Sequence, residues 1–108
     1  MSEPGFERVV LLAEIPEETP YAATLSDGEQ ICLVRVGSTV YALEDRCSHA
    51  DFPLSDGDIV DDCVIECALH GAQFDIRTGE VLESPATEAV NLLDVLVEDG
   101  AVWVKLAG

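Results

Sequence analysis

The chain has 108 residues, enough for one domain built on one hydrophobic core. Its 22 acidic residues against 5 basic ones give a formal charge of −17, which excludes nucleic acid as a partner, because phosphate contacts need clustered Lys and Arg. No stretch approaches the roughly 18 apolar residues of a membrane span, and residues 1–7 lack the apolar centre of a signal peptide, so a cytoplasmic protein with no membrane contact is expected.

Hydrophobic residues make up 48% of the chain, so the acidity does not spell disorder. Short β-prone runs alternate with turn residues, the pattern of an all-β sandwich or barrel. Residues 6–12 form the first apolar run, and Ile15-Pro16-Glu17-Glu18-Thr19-Pro20 breaks it. Residues 21–25 read as a strand, and Ser26-Asp27-Gly28 as a tight turn. Residues 31–36 pair back on it, and Gly37-Ser38 turns them into residues 39–43. Near the C-terminus, residues 90–97 and 101–106 flank Glu98-Asp99-Gly100, another hairpin signal. Between these outer strands lies an insert, residues 45–85. It has short strands of its own at 63–66 and 72–76 and turns at Asp56-Gly57 and Thr78-Gly79. Tyr41 and Trp103 lie in strand runs and are expected to be core residues rather than redox relays.

The insert carries Cys47-Ser48-His49 and, seventeen residues later, Cys67-Ala68-Leu69-His70. Both histidines of the chain and two of its four cysteines lie in these runs. Thiolates and imidazoles in equal number point to a transition-metal site. In a reducing compartment cysteines are more often metal ligands than disulfides. Zinc is the rival, since Cys2His2 is also a structural zinc set. Zinc fingers, however, usually place both cysteines before both histidines, whereas the order here is C-H-C-H. Cys32 and Cys63 fall outside the pattern and read as small buried hydrophobes.

The two runs resemble the Rieske [2Fe–2S] motif, in which two histidines replace two cysteines on one iron. Tyr41-Ala-Leu-Glu-Asp-Arg-Cys-Ser-His49, Glu66-Cys-Ala-Leu-His-Gly71, Phe74-Asp-Ile-Arg-Thr-Gly79 and the final Val102-Trp103-Val104 extend the likeness over nearly the whole chain. Its nearest character is that of the small Rieske ferredoxins of bacterial aromatic-ring dioxygenases. The resemblance implies an antiparallel β-sandwich or barrel base, residues 1–44 and 86–108, carrying a small cluster-binding subdomain, residues 45–85. It implies one [2Fe–2S] cluster per chain. Cys47 and Cys67 would hold one iron, and His49 and His70 the other. Ser84-Pro85-Ala86 would match a third loop covering the cluster, and Gly71 would permit a tight turn behind His70.

The function implied is one-electron transfer, not catalysis. The partners would be an NAD(P)H-dependent flavin reductase and the terminal Rieske non-haem iron oxygenase, with the ferredoxin itself monomeric. Two other roles use the same module: a redox-sensing or iron–sulfur-assembly-linked protein, and the small subunit of an assimilatory nitrite reductase. Many such subunits lack the four ligands, which are all present in this chain. The acidic surface serves solubility or salt adaptation in one reading and steering toward a basic docking patch in the other, and the two are compatible.

Ligand charge sets the redox character. Two ferric ions and two sulfides sum to +2, two thiolates cancel that, and neutral histidines leave the oxidised site neutral. A four-cysteine site would start at −2, so histidine ligation raises the potential. High-potential respiratory Rieske proteins add a disulfide between the ligand loops and Ser and Tyr hydroxyls that donate to sulfur. The matching positions here are Phe52 and Leu69, then Ala72 and Phe74, and none supplies the group. The low end of the Rieske range, near about −150 mV, is expected.

Overall fold

A computed structural model describes residues 5–45, 53–61, 63–67, 71–83 and 90–105. They form eleven strands, β1 Phe6–Leu11, β2 Tyr21–Thr24, β3 Gln30–Val36, β4 Thr39–Glu44, β5 Asp58–Asp61, β6 Val64–Glu66, β7 Gln73–Asp75, β8 Val81–Glu83, β9 Leu92–Leu93, β10 Val95–Glu98 and β11 Ala101–Lys105. Single 3₁₀ turns stand at Leu12–Glu14 and Leu54–Asp56. The fold is all-β, as the spacing of turns and apolar runs predicts. Three antiparallel sheets result, in the orders β1-β11-β10, β2-β3-β4-β9 and β5-β6-β7-β8.

The second sheet is the shared wall. Ile31, Cys32, Leu33 and Val34 of β3 are all 0% exposed. Side chains alternate across a strand, so this run feeds two cores. Ile31 and Leu33, with Val40 and Ala42 of β4, pack against Val102 and Val104 of β11. Cys32 and Val34, with Leu43 of β4, pack against Ile65, Phe74 and Ile76 on the side of the third sheet.

Two connections hold the layers in place. Arg35 donates through Nη1 to the carbonyls of Leu12 and Ile15, at 3.4 and 3.3 Å, and through Nε to Gly37 at 2.7 Å. It thereby pins the turn that leaves the first sheet onto the second. On the other side, Ile76 N–H bonds to Cys63 C=O at 2.9 Å within the third sheet, and Val90 N–H bonds to Gly79 C=O at 2.9 Å. The second bond joins the β7–β8 turn to the strand entering β9.

Four sequence expectations need correction. Residues 90–97 are not one strand. Leu92–Leu93 pairs with β4, the chain bends at Asp94, and Val95–Glu98 pairs with β11 in the first sheet. This is the corner of a sandwich, where a strand leaves one sheet for the other. The first strand stops at Leu11 rather than residue 12, because Leu12 opens a 3₁₀ turn. The third sheet gains β5 and β8, whose runs of four and three residues are too short to carry much strand signal. Trp103 belongs to neither buried cluster, since strand alternation sends Val102 and Val104 inward; its indole Nε1 is buried without a hydrogen-bond partner among the described residues. Tyr41 does pack against the cluster that contains Cys32.

Gly79 takes φ +80°, and a Cβ there would stand 2.2 Å from the Val90 carbonyl oxygen. Positive φ alone costs about 1–3 kcal/mol for a residue with a side chain, and the approach to rigid backbone adds to it. Gly79→Ala is expected to lower unfolding stability by at least about 2 kcal/mol, read as a shift in urea midpoint at unchanged slope.

Burial pushes the Cys32 thiol up to about 12, with the negative charge of Asp45 adding to the effect. The unfolded thiol ionises near 9.0, so the folded state resists ionisation between these values. Stability from this group is complete below pH 9 and falls as pH rises toward 12, by about 1.4 kcal/mol per unit at most. Cys32→Ala is expected to flatten this alkaline decline relative to the parent, measured by urea unfolding at stepped pH.

Candidate metal centre

Cys67 is the candidate ligand that falls among the described residues; Cys47, His49 and His70 lie outside them. It follows β6 directly and is 1% exposed. Its N–H donates to Ala72 C=O at 2.7 Å, and its own C=O accepts from Gly71 N–H at 3.0 Å. These bonds close the stem of the C-x-x-H run, and Gly71 stands at φ +76°. Glu66 and Gln73, paired across β6 and β7, add a side-chain bond of 3.0 Å just below the stem.

The neighbourhood of Cys67 is apolar. It shares a cluster with Leu54, Ile65, Ala72, Phe74 and Ile76, all fully buried. A thiolate is a soft donor of the kind that holds iron–sulfur clusters, and the apolar side chains around it keep water away. The donor type and its dry setting therefore fit an iron–sulfur cluster. Ala72 and Phe74 face the same interior and bring no hydroxyl to it. Among the described residues no three His, Cys, Asp or Glu side chains converge. The remaining candidate donors belong to residues 46–52 and 68–70, and Phe52, Leu69 and Ser84-Pro85-Ala86 also lie outside the described residues.

The stem of the first run is described on both sides. Glu44 N–H bonds to Asn91 C=O at 3.0 Å, and Asn91 Nδ2 donates to Glu44 Oε1 at 3.1 Å. Asp45 N–H bonds to Gln30 C=O at 3.1 Å. Ten residues on, Ser55 donates to both carboxylate oxygens of Asp45, from N–H at 2.7 Å and from Oγ at 2.6 Å. Ser55 sits in the 3₁₀ turn whose Leu54 enters the Cys67 cluster. Gly57 follows, and a Cβ there would stand 2.0 Å from the carbonyl oxygen of Glu66.

Sequence reasoning singled out Asp56-Gly57 as a turn but passed over Asp45 and Ser55. Their only sequence signal is position, an acid two residues before Cys47 and a serine two before Gly57. Cys63 is half-buried against the cluster and Cys32 is buried within it; both are free thiols outside the ligand runs. Among the described residues no helix is long and apolar enough to cross a membrane.

The model of the Rieske [2Fe-2S] domain matches residues 6–95. The ferredoxin subunit of 3-phenylpropionate/cinnamic acid dioxygenase from Escherichia coli K12 is 38% identical over 95 residues, covering 88% of each chain. The ferredoxin of carbazole 1,9a-dioxygenase from Nocardioides aromaticivorans IC177 superposes with a TM-score of 0.87 at 35% identity, over 93% of this chain and 96% of that one. A chain from a complex of reduced oxygenase and oxidised ferredoxin in carbazole 1,9a-dioxygenase gives a TM-score of 0.87 at 31% identity, over 95% and 94%. With the strand framework matched from β1 into β10 and the buried Cys67 standing where the ligand run begins, the chain belongs to the Rieske [2Fe–2S] family.

Proposed function

We propose that the chain is the one-electron carrier of an aromatic-ring dioxygenase system, taking electrons from an NAD(P)H-dependent flavin reductase and passing them to the terminal Rieske non-haem iron oxygenase. The observation that carries this reading is the buried Cys67 at the mouth of a closed turn, in a chain whose family match spans residues 6–95. Cys47 and Cys67 would hold one iron as thiolates, and His49 and His70 the other as neutral imidazoles. When bound, the cluster supplies reversible one-electron storage, and the site passes from neutral to −1 on reduction.

The chain's own residues do the rest. The apolar cluster around Cys67 keeps water from the sulfur side, and the hydrogen-bonded stems fix the spacing of the ligand runs. The first two sheets serve as base and the third sheet as the cluster-binding subdomain, residues 45–85. Support for the partners comes from relatives named as dioxygenase ferredoxin subunits and from the carbazole complex that contains both oxygenase and ferredoxin. The carrier acts as a cytoplasmic monomer that meets each partner transiently, as redox encounters do.

Purified protein is expected to be red-brown, with about two irons and two sulfides per chain and two nitrogens coupled to the reduced cluster in pulsed EPR. Cys47→Ser, Cys67→Ser, His49→Ala and His70→Ala each abolish or cripple cluster assembly, whereas Cys32→Ala and Cys63→Ala leave the spectrum intact. NADH-driven reduction of a candidate oxygenase, mixed with reductase and this protein, tests the carrier role; a colourless protein with stoichiometric zinc would end it.

The potential is expected near about −150 mV. Ala72→Ser and Phe74→Tyr each offer a hydroxyl to sulfur, which favours the more negative reduced state. Protein-film voltammetry of the double variant should show a rise; an unchanged or lower value, with the new bonds seen in a structure, contradicts the account.

A further inference from the structure

Asp45 is the last described residue before the segment that contains Cys47 and His49, and Ser55 lies just beyond that segment's far end. The Asp45 backbone is fixed to the second sheet through Gln30, and its carboxylate accepts both donors of Ser55. Ser55 is flanked by Leu54, locked in the Cys67 cluster, and by the turn to Gly57, which abuts the backbone of Glu66, the residue before Cys67. A continuous path of packed and hydrogen-bonded groups therefore joins the neck of one ligand run to the neck of the other.

We propose that Asp45 is a positioning residue for the cluster: its two hydrogen bonds to Ser55 tie together the residues on either side of the Cys47–His49 segment and, through Leu54 and Gly57, hold them against the stem of Cys67. This rests on the ligand assignment proposed above. In this role the carboxylate acts through Ser55. Both oxygens are engaged by one residue, so the contact fixes orientation as well as distance. Supporting groups of this kind govern how tightly a metal site holds, with losses of about 10–100-fold when they are removed. The charge of Asp45 is not the operative feature. Asn has the same shape, can accept from the Ser55 N–H and can donate to Ser55 Oγ, so it should substitute.

The test uses the holoprotein and reads chelator-driven cluster loss, followed by visible absorbance, together with pulsed EPR of the reduced state. Asp45→Ala and Ser55→Ala are expected to accelerate loss about tenfold or more and to change the nitrogen couplings, with far-UV circular dichroism unchanged. The double variant should be no faster than Asp45→Ala, because the two residues act as one contact. Asp45→Asn should keep near-parent loss rates and couplings, and Asp58→Asn, which removes an exposed acid on β5, should match the parent. Should Asp45→Ala not fold, Ser55→Ala and Asp45→Asn still decide. Parent-like loss and couplings in Ser55→Ala would overturn the proposal, as would Asp45→Asn failing as badly as the alanine variant. His49→Ala is measured alongside: if it retains both nitrogen couplings, the ligand assignment has failed, whereas its loss of one coupling beside a parent-like Ser55→Ala isolates the failure to the clamp.

Discussion

Four consecutive residues of β3 are buried on both faces, and the rest of the molecule is arranged around that double burial. A strand with one wet face alternates apolar and polar; a strand with two dry faces cannot. Ile31 and Leu33 require one layer of partners, and Cys32 and Val34 require another. The first and third sheets are those partners. Each residue contributes about 1.5–3 kcal/mol of burial, so neither layer can leave without exposing half of the strand.

The candidate metal centre inherits its geometry from this packing. One ligand run emerges from β4 and returns through the 3₁₀ turn at Leu54–Asp56; the other spans the β6–β7 turn. The strands that bracket them, β4 in the second sheet and β6 and β7 in the third, are held apart by the apolar cluster that contains Leu43, Ile65 and Phe74. The Asp45–Ser55 bonds and the close approach of Gly57 to Glu66 turn that packing into a fixed distance at the necks. Charge works at longer range. The chain's net charge of −17 opposes the uptake of an electron, a repulsion weakened by screening over about 8 Å at physiological ionic strength.

The features legible in the sequence are those written locally. The β2–β3–β4 meander is bounded by Asp27-Gly28 and Gly37-Ser38, turn pairs that sit at the ends of alternating runs. The ligand runs declare themselves because they use every histidine at a characteristic spacing. The split of residues 90–97 is not legible, since Asn91 and Asp94 are weak breakers inside an apolar stretch and the division depends on which sheet each half meets. Residues 58–61 and 81–83 become strands only by flanking β6 and β7. Asp45 and Ser55 are invisible for the same reason: their contact spans ten residues and depends on where the 3₁₀ turn docks.

The pairing of the first strand with the last has a further consequence. Phe6, which opens the edge strand β1, lies opposite Lys105, which closes the central strand β11, so the two ends of the strand framework are neighbours. That sheet packs on the face of the shared wall opposite the cluster that contains Cys67. The unit is therefore modular in the architectural sense: the outer ends of its first and last strands meet on the face opposite Cys67. A second domain, or a second copy of the carrier, can be spliced in at that seam, or the ends joined and the chain reopened elsewhere, without rerouting a strand that supports the metal. Electron carriers joined in this way would keep their redox tips free and gain the effective concentration of an intramolecular partner.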